Sequence, residues 1–586
     1  MLRTHTCSDL TSDDIGKEVS LCGWIATKRN HGGVIFIDLR DRYGVTQVVF
    51  EPSVDQERAD RAERLPREST VRVKGTVRAR PEGMQNTKLA TGAIEIEAKD
   101  LEVFSEAKTL PIEPEDGHEA NEDARLTYRF IDLRKPSMQK NLMKRAHVIK
   151  VMHDYFFEHG FVNIETPMLM RTTPEGARDF VVPSRLHHGS VYALPQSPQL
   201  YKQISMISGF DRYYQIARCL RDEDPRADRQ LEFTQLDIEM SFVEEDDVFA
   251  TIERLFSRIA TEVFERTIKT PFERITYDDA IERFGSDKPD LRYGLEITDV
   301  SSIVKDSTFQ VFTSVVSSGG RVRGLCVKKP DYSRKDIDAL ITFAQNNKAK
   351  GLAWMRVTGD GLESNIVKFF TDDQQKALVT AMGAEDGDVL LFAADKEPVL
   401  SEILDKLRRH IASELEIYDV SEWKFAWITD FPYFEWDPDA REWMPAHHAF
   451  TSIRASDLDK IESDPGAVRA RAYDITLNGW EIASGSIRIH DPAMQTRMFK
   501  ALKMSEEEIE EKFGWFLEAL KYGVPPHGGI APGIDRLVAL MLGHDSIREV
   551  IAFPRNKAGQ NPMDGSPSNV DEKQLKELGL TRTKTS

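Results

Sequence analysis

The chain has 586 residues and a formal net charge of −19, with 40% hydrophobic and 30% charged residues. At roughly 100–200 residues per domain, that length holds about three to five domains of ordinary soluble composition. The acidic total argues against a generic nucleic-acid binder, although binding depends on local patches rather than on the sum.

Its four cysteines, Cys7, Cys22, Cys219 and Cys326, form no CxxC pair, so neither a zinc site nor a disulfide framework is expected. Apolar runs such as "DVLLFAA" and "RLVALML" are too short to cross a bilayer, and the opening "MLRTHTCSDL" has no apolar core of the signal-peptide kind. The expected setting is a reducing cytoplasm, without a membrane partner.

The first hundred residues predict strands at "EVSLCGWIA", "GVIFIDLR", "VTQVVF", "TVRVKGTVRA" and "AIEIEAKDLEVF", with a helix at "VDQERADRAERL". Five strands in this arrangement suit an OB-type barrel over 1–105, a fold that often holds single-stranded nucleic acid. "TKR" and "RVKGTVRAR" are locally basic stretches within it. Residues 106–135, rich in Pro, Glu and Asp, read as a hinge.

A long helix follows, with Pro136 near its start and Gly160 just past its end. Strands and helices then mix over 136–285. The character changes at "FGSDKPD", and 286–418 reads as an inserted α+β domain. Aromatic-rich strands resume over 419–555, and a polar extension occupies 556–586.

Four stretches carry chemistry. In "RDEDPRADRQLEFTQLDIE", Phe233, Gln235, Asp237 and Glu239 point one way from a strand, and Thr234, Leu236 and Ile238 the other. With the preceding "RYYQIARCLR", this predicts an antiparallel pair whose polar face holds Arg221, a guanidinium fork suited to phosphate or carboxylate. In "YDITLNGWEIASGSIRI", Asn478-Gly479 signals a two-residue hairpin that pairs Thr476 with Glu481 and sets Asp474 diagonal to Glu481. Two carboxylates on one strand face suit a hard cation such as magnesium. Arg488 joins that face only if a bulge near Ala483-Ser484-Gly485 corrects its parity.

"PPHGGIAPGIDRLVALMLG" leads glycines into a helix carrying Arg536, without the lysine of a P-loop. In "SPQLYKQISMISG", Ser197 can cap a helix starting at Pro198, with Gln199 and Lys202 sharing one face. His447-His448 does not have metal-ligand spacing, and no GxSxG elbow occurs.

Taken together, these stretches resemble the bacterial-type aspartyl-tRNA synthetases, a class II aminoacyl-tRNA synthetase family, over essentially the whole chain. "GFVNIETPMLMRTTPEGARDF", "FDRYYQIARCLRDEDPRADRQLEFTQLDIE" and "GGIAPGIDRLVALML" look like motifs 1, 2 and 3. The resemblance implies an antiparallel sheet flanked by helices, dimeric through the motif 1 helix and Pro167, with the family's extra domain at 286–418.

It also implies roles. Arg221 would clamp the α-phosphate and the substrate carboxyl, Glu223 and Gln230 would meet the nucleotide, and Phe233 would stack on adenine. Arg536, with Gly533, Ile534 and Asp535 beside it, would hold the far end of ATP, and Asp474 and Glu481 would carry Mg²⁺. Gln199, Lys202, Asp237 and Arg488 would form the aspartate pocket under Glu175 and His447. In the barrel, Phe36 would stack on the central anticodon base, beside Arg29 and Gln47. His31 and Gly83 look like the form found in members that charge both tRNA(Asp) and tRNA(Asn), whose mischarged product an amidotransferase would convert. The alternative is a strict enzyme acting on tRNA(Asp) alone.

Overall fold

The computed structural model describes residues 1–173, 176–437 and 439–582. They fall into two compact units, Met1–Gln139 and Lys140–Ser586.

In the first unit, strands Glu18–His31, Val34–Arg40, Val45–Phe50, Thr70–Ala79 and Ile94–Ser105 close into a barrel of the expected OB type. Alternation decides which side chains fill it. Along Val34–Arg40, Ile35, Ile37 and Leu39 are buried in the barrel, while Phe36 and Asp38 alternate with them toward the outer surface. Helix Gln56–Arg64 starts where the Asp55 side chain accepts from the Arg58 N–H, and it buries Ala59 and Ala62.

The stretch read as a hinge is more ordered than its composition suggests. It carries helices Glu122–Thr127 and Arg129–Asp132. The fully buried Asp132 carboxylate is met there by Arg125, Arg129 and Lys135 at 3.0, 2.6 and 3.1 Å. Three cations around one carboxylate offset its desolvation, and a Pro- and acid-rich segment becomes a fixed part of the unit.

The second unit is built on an eight-stranded sheet in the order Glu273–Thr276, Phe425–Thr429, Ala472–Leu477, Trp480–Ile487, His527–Pro532, Glu232–Ser241, Arg212–Leu220, Val162–Asn163. It is antiparallel through the centre and parallel only at its two edges. One face is apolar. Leu236, Ile238 and Met240 pack with Val151 and Phe156 of helix Pro136–Glu158 and with Ile252 and Phe256 of helix Glu245–Phe264. The alternate residues of the same strand, Gln235, Asp237 and Glu239, therefore lie on the opposite, polar face.

In the chain between strands Glu273–Thr276 and Phe425–Thr429, a separate five-stranded sheet runs from Thr298–Asp299 to Val389–Asp395 and is followed by helix Val399–Glu414. No helix among the described residues is long and apolar enough to cross a membrane.

Candidate active site

A cavity of about 780 Å³ opens on the polar face of the large sheet. Its lining brings together Gln199, Lys202, Arg221, Glu223, Gln230, Phe233, Asp237, His447, Glu481, Arg488, Gly533, Asp535 and Arg536, residues drawn from distant parts of the chain. Glu175 lies outside the described residues.

The floor is a buried ionic lattice. Lys202 projects from helix Gln199–Ile207 and places Nζ 2.8 Å from Asp237 Oδ1 and 3.5 Å from Glu239 Oε2. Arg488 grips Glu239 with two donors, Nε at 2.9 Å and Nη2 at 3.2 Å. Its Nη1 donates to Ser486 Oγ at 2.6 Å and to His448 Nε2 at 3.0 Å. Burial desolvates Glu239, yet Arg488 and Lys202 hold its carboxyl below the usual range. Burial keeps His448 neutral, its pKa well below 6.5, and lowers His447 to about 4. Among the described residues, the buried amide nitrogen of Gln199 and Oδ2 of Asp237 have no hydrogen-bond partner. Buried polar atoms of this kind call for a ligand.

Local backbone puts these groups in place. The hairpin pairs Thr476 with Glu481 as expected, but then Ile475 with Ala483, so Ile482 is the extra residue of a bulge. That is one position earlier than the parity argument placed it. The extra residue turns Ser484, Ser486 and Arg488 onto the face of Glu481. Helix Gln199–Ile207 begins one residue later than expected, with Pro198 at its cap, and Ser197 Oγ accepts from the Gln199 N–H at 3.3 Å. Gly529 lies across from Glu239, and a Cβ there would collide with Glu239 Oε2 and the Ile238 carbonyl. Glycine is what lets the carboxylate lie flat on the sheet.

The other half of the cavity is cationic. The Arg221 guanidinium lies 5.1 Å over the Phe233 ring, and Nε donates to the Gln196 carbonyl at 3.4 Å. Arg536 donates to the carbonyls of Asp228 and Glu481 at 3.1 and 2.9 Å. Glu223 pairs with Arg229 at 3.0 Å. Burial disfavours the Glu481 carboxylate, but Lys288, Arg536 and Arg221 hold its pKa below the usual value. Asp474 is buried directly across from Ser484, behind the cavity wall. Burial and the neighbouring Glu481 charge push it well above the usual range. Its Oδ1 has no hydrogen-bond partner among the described residues.

Three expected nucleotide residues have side chains engaged elsewhere. Gln230 brackets the Arg555 backbone, accepting its N–H at 2.8 Å and donating to its carbonyl at 3.2 Å. The Asp535 carboxylate takes the Thr234 N–H at 2.9 Å and pairs with Arg145. Ile534 is fully buried in the core. At these positions the backbone, rather than the side chain, is what a ligand could reach.

Residues 121–557 match the family of tRNA synthetases class II (D, K and N), and 19–104 match the OB-fold nucleic acid binding domain. The chain is a class II tRNA synthetase of the D, K and N group. Among relatives of this synthetase, the aspartate–tRNA(Asp/Asn) ligases of Aquifex aeolicus and Geotalea uraniireducens are each 50% identical to it. The aspartate–tRNA ligase of Ruminiclostridium cellulolyticum is 49% identical. Each of these alignments covers 99% of this chain and 98% of the relative. Its fold is shared by the asparaginyl-tRNA synthetase of Pyrococcus horikoshii in complex with asparaginyl-adenylate (TM-score 0.61, 20% identity, 95% and 99% of the two chains covered). The aspartyl tRNA synthetase of Entamoeba histolytica is similar (TM-score 0.59, 20% identity, 96% and 93% covered).

In the synthetase's barrel, Arg29 forks onto Asp38 with two bonds of 3.0 Å and reaches Gln47 Oε1 at 3.3 Å. Gln47 in turn donates to Glu95 at 2.8 Å. Phe36 pairs across the strands with Arg29 and meets the His31 ring edge-on at 5.9 Å. Arg29, His31 and Phe36 thus form one aromatic and cationic patch. Gly83 adopts φ +81° with open space around it, so the turn alone favours glycine there.

Sequence reasoning placed Glu239 on the polar face without giving it a role, and assigned none to Ser486, His448 or Lys288. Glu239 has the same strand parity as Asp237, and a buried Arg488 needs a counter-charge, which was the available signal. Lys288 carried no such signal, because its place on Glu481 depends on the path of the inserted segment.

Proposed function

We propose that the synthetase activates L-aspartate with ATP and transfers it to tRNA(Asp) and to tRNA(Asn). The observation that carries the amino-acid choice is the buried pair Lys202 and Arg488. Arg488 spends Nε, one Nη2 hydrogen and both Nη1 hydrogens on Glu239, Ser486 and His448. Lys202 spends one donor on Asp237 and leans on Glu239. Among the described residues, one Nη2 hydrogen and one ammonium hydrogen are left, which matches the two oxygens of a side-chain carboxylate. Asparagine would set its own N–H donors against them, and a polar pocket of this type rejects such an analogue by roughly 10⁴–10⁵.

The α-carboxylate of aspartate attacks the α-phosphorus of ATP in line, the P–O bond to the pyrophosphate breaks, and aspartyl-adenylate forms. Arg221 orients carboxylate and α-phosphate together, with Phe233 offering its ring to adenine and Glu223 its carboxylate to the base. The backbone at Gln230, Gly533, Ile534 and Asp535 borders the nucleotide, and Arg536 neutralises the far phosphates. Asp237, Gln199 and His447 close around the amino acid. Positioning and charge neutralisation suffice here, without a protein nucleophile. The terminal ribose hydroxyl of the tRNA then attacks the adenylate carbonyl and AMP leaves.

Asp474 and Glu481 fit magnesium: hard carboxylate oxygens, one of them without a partner among the described residues, with a lysine ammonium already drawn to Glu481. When bound, the ion would supply charge neutralisation on the phosphates. Among the described residues no three His, Cys, Asp or Glu side chains converge, so Asp474 and Glu481 are the side chains that would hold it.

The Phe36, Arg29 and Gln47 patch reads the anticodon. The relaxed tRNA choice is supported by the relatives that act on both tRNAs and by the His31–Phe36 contact. It implies that an amidating enzyme acts downstream. Exposed Met168 and Leu169 beside Pro167 support a homodimer through that strip. The test is aspartate attachment to purified tRNA(Asp) and tRNA(Asn) side by side. Comparable charging supports the relaxed reading, and charging of tRNA(Asp) alone leaves the strict enzyme.

A further inference from the structure

We propose that Lys288, at the entry to the inserted domain, is a tethered counter-cation that occupies the Glu481–Asp474 carboxylate pair and competes with the divalent ion. This rests on the assignment of that pair as the magnesium site. Lys288 Nζ lies 2.9 Å from Glu481 Oε2, and the side chain lines the same cavity as Arg221 and Arg536.

The Lys288 backbone is anchored, while its side chain is held by Glu481 at its tip. Arg409, from helix Val399–Glu414, donates to the Lys288 carbonyl at 2.7 Å and to the Gly479 carbonyl at 3.2 Å. Asp405 holds that guanidinium with two contacts of 2.9 Å. The inserted domain thereby pins the Lys288 backbone to the turn of the hairpin that bears Asp474 and Glu481. The side chain itself is 39% exposed, and its four-carbon stem can leave Glu481 without disturbing the anchor.

Without the ion, the ammonium compensates the Glu481 carboxylate beside the buried Asp474. With a triphosphate in the cavity, the Lys288 side chain would turn from Glu481 toward the phosphates. The resting enzyme should therefore bind a bare divalent ion weakly, and should acquire it chiefly as the nucleotide complex. No resident charge of this kind is needed if the carboxylates alone set the affinity.

The experiment uses Mn²⁺ as the probe, read by electron paramagnetic resonance on the nucleotide-free full-length enzyme. Lys288→Met and Lys288→Gln should each bind Mn²⁺ about 10-fold or more tightly than wild type, as expected for removing a partly buried competing ion pair. Lys288→Arg should stay near wild type. Equal or weaker Mn²⁺ binding by both neutral variants overturns the proposal. Glu481→Gln separates this from the underlying site assignment. If it leaves Mn²⁺·ATP binding unchanged, the metal site itself is misassigned and the proposal falls with it. If it abolishes that binding while the Lys288 variants match wild type, the role of Lys288 alone is refuted.

Discussion

Replacing Glu239 by glutamine tests whether the floor lattice sets aspartate affinity. The substitution keeps the shape but removes the charge. In the present geometry, Glu239 Oε1 and Oε2 accept from Arg488 Nε and Nη2 at 2.9 and 3.2 Å, and Oε2 faces Lys202 at 3.5 Å. An amide oxygen can still accept on one side, but the NH₂ must then face either Nε, or both Nη2 and the ammonium. Arg488 and Lys202 are 2% exposed, so water cannot make up the loss. Leaving a buried cation without its partner costs about 3–5 kcal/mol. At about 1.4 kcal/mol per tenfold, that corresponds to roughly 10²–10³ in affinity if the pocket stays folded and Arg488 relaxes out of position. The assay is aspartate-dependent exchange of pyrophosphate into ATP. KM for aspartate should rise by about 10² or more, with KM for ATP within a few-fold of wild type. An aspartate KM within about threefold of wild type would refute the idea that Glu239 positions Arg488.

Three further outcomes are expected. Phe36→Ala should weaken tRNA binding by about 1–3 kcal/mol and leave tRNA-free pyrophosphate exchange unchanged, measured by filter binding and exchange on the same preparation. Gly83→Ala forces a Cβ into φ +81° and should cost the barrel about 1 kcal/mol, seen in thermal unfolding, with no steric clash to add to it. His447, held at about 4 against 6.5 in the unfolded chain, makes stability depend on pH. The unfolded state takes up a proton first, so stability is full above pH 6.5 and falls as pH drops toward 4. His447→Gln should remove up to about 3 kcal/mol of that fall in pH-dependent unfolding.

Much of the architecture was legible because it rests on local rules. Period-2 alternation assigned Asp237 to one face of its strand and Leu236 to the other, and Asn478-Gly479 fixed the hairpin register at Thr476 and Glu481. What local rules cannot see is where the chain returns from far away. The bulge falls at Ile482 because Ala483 must pair with both Ile475 and Pro532. Gln230 turns its amide to the Arg555 backbone, a contact spanning 325 residues. Asp535 reads as a ligand in a glycine-rich stretch, but it is spent on Thr234 and Arg145. The ordering of 106–135 depends on the cations gathered around Asp132, which composition does not reveal.

The decisive measurement is pyrophosphate exchange into ATP with aspartate, asparagine and lysine offered separately to the purified enzyme. Exchange driven by aspartate, with asparagine and lysine lower by about 10⁴ in kcat/KM, is the expected result for a cavity floored by Lys202 and Arg488. Exchange driven equally well by asparagine or lysine, or by none of the three, would show that this lattice does not select the side-chain carboxylate.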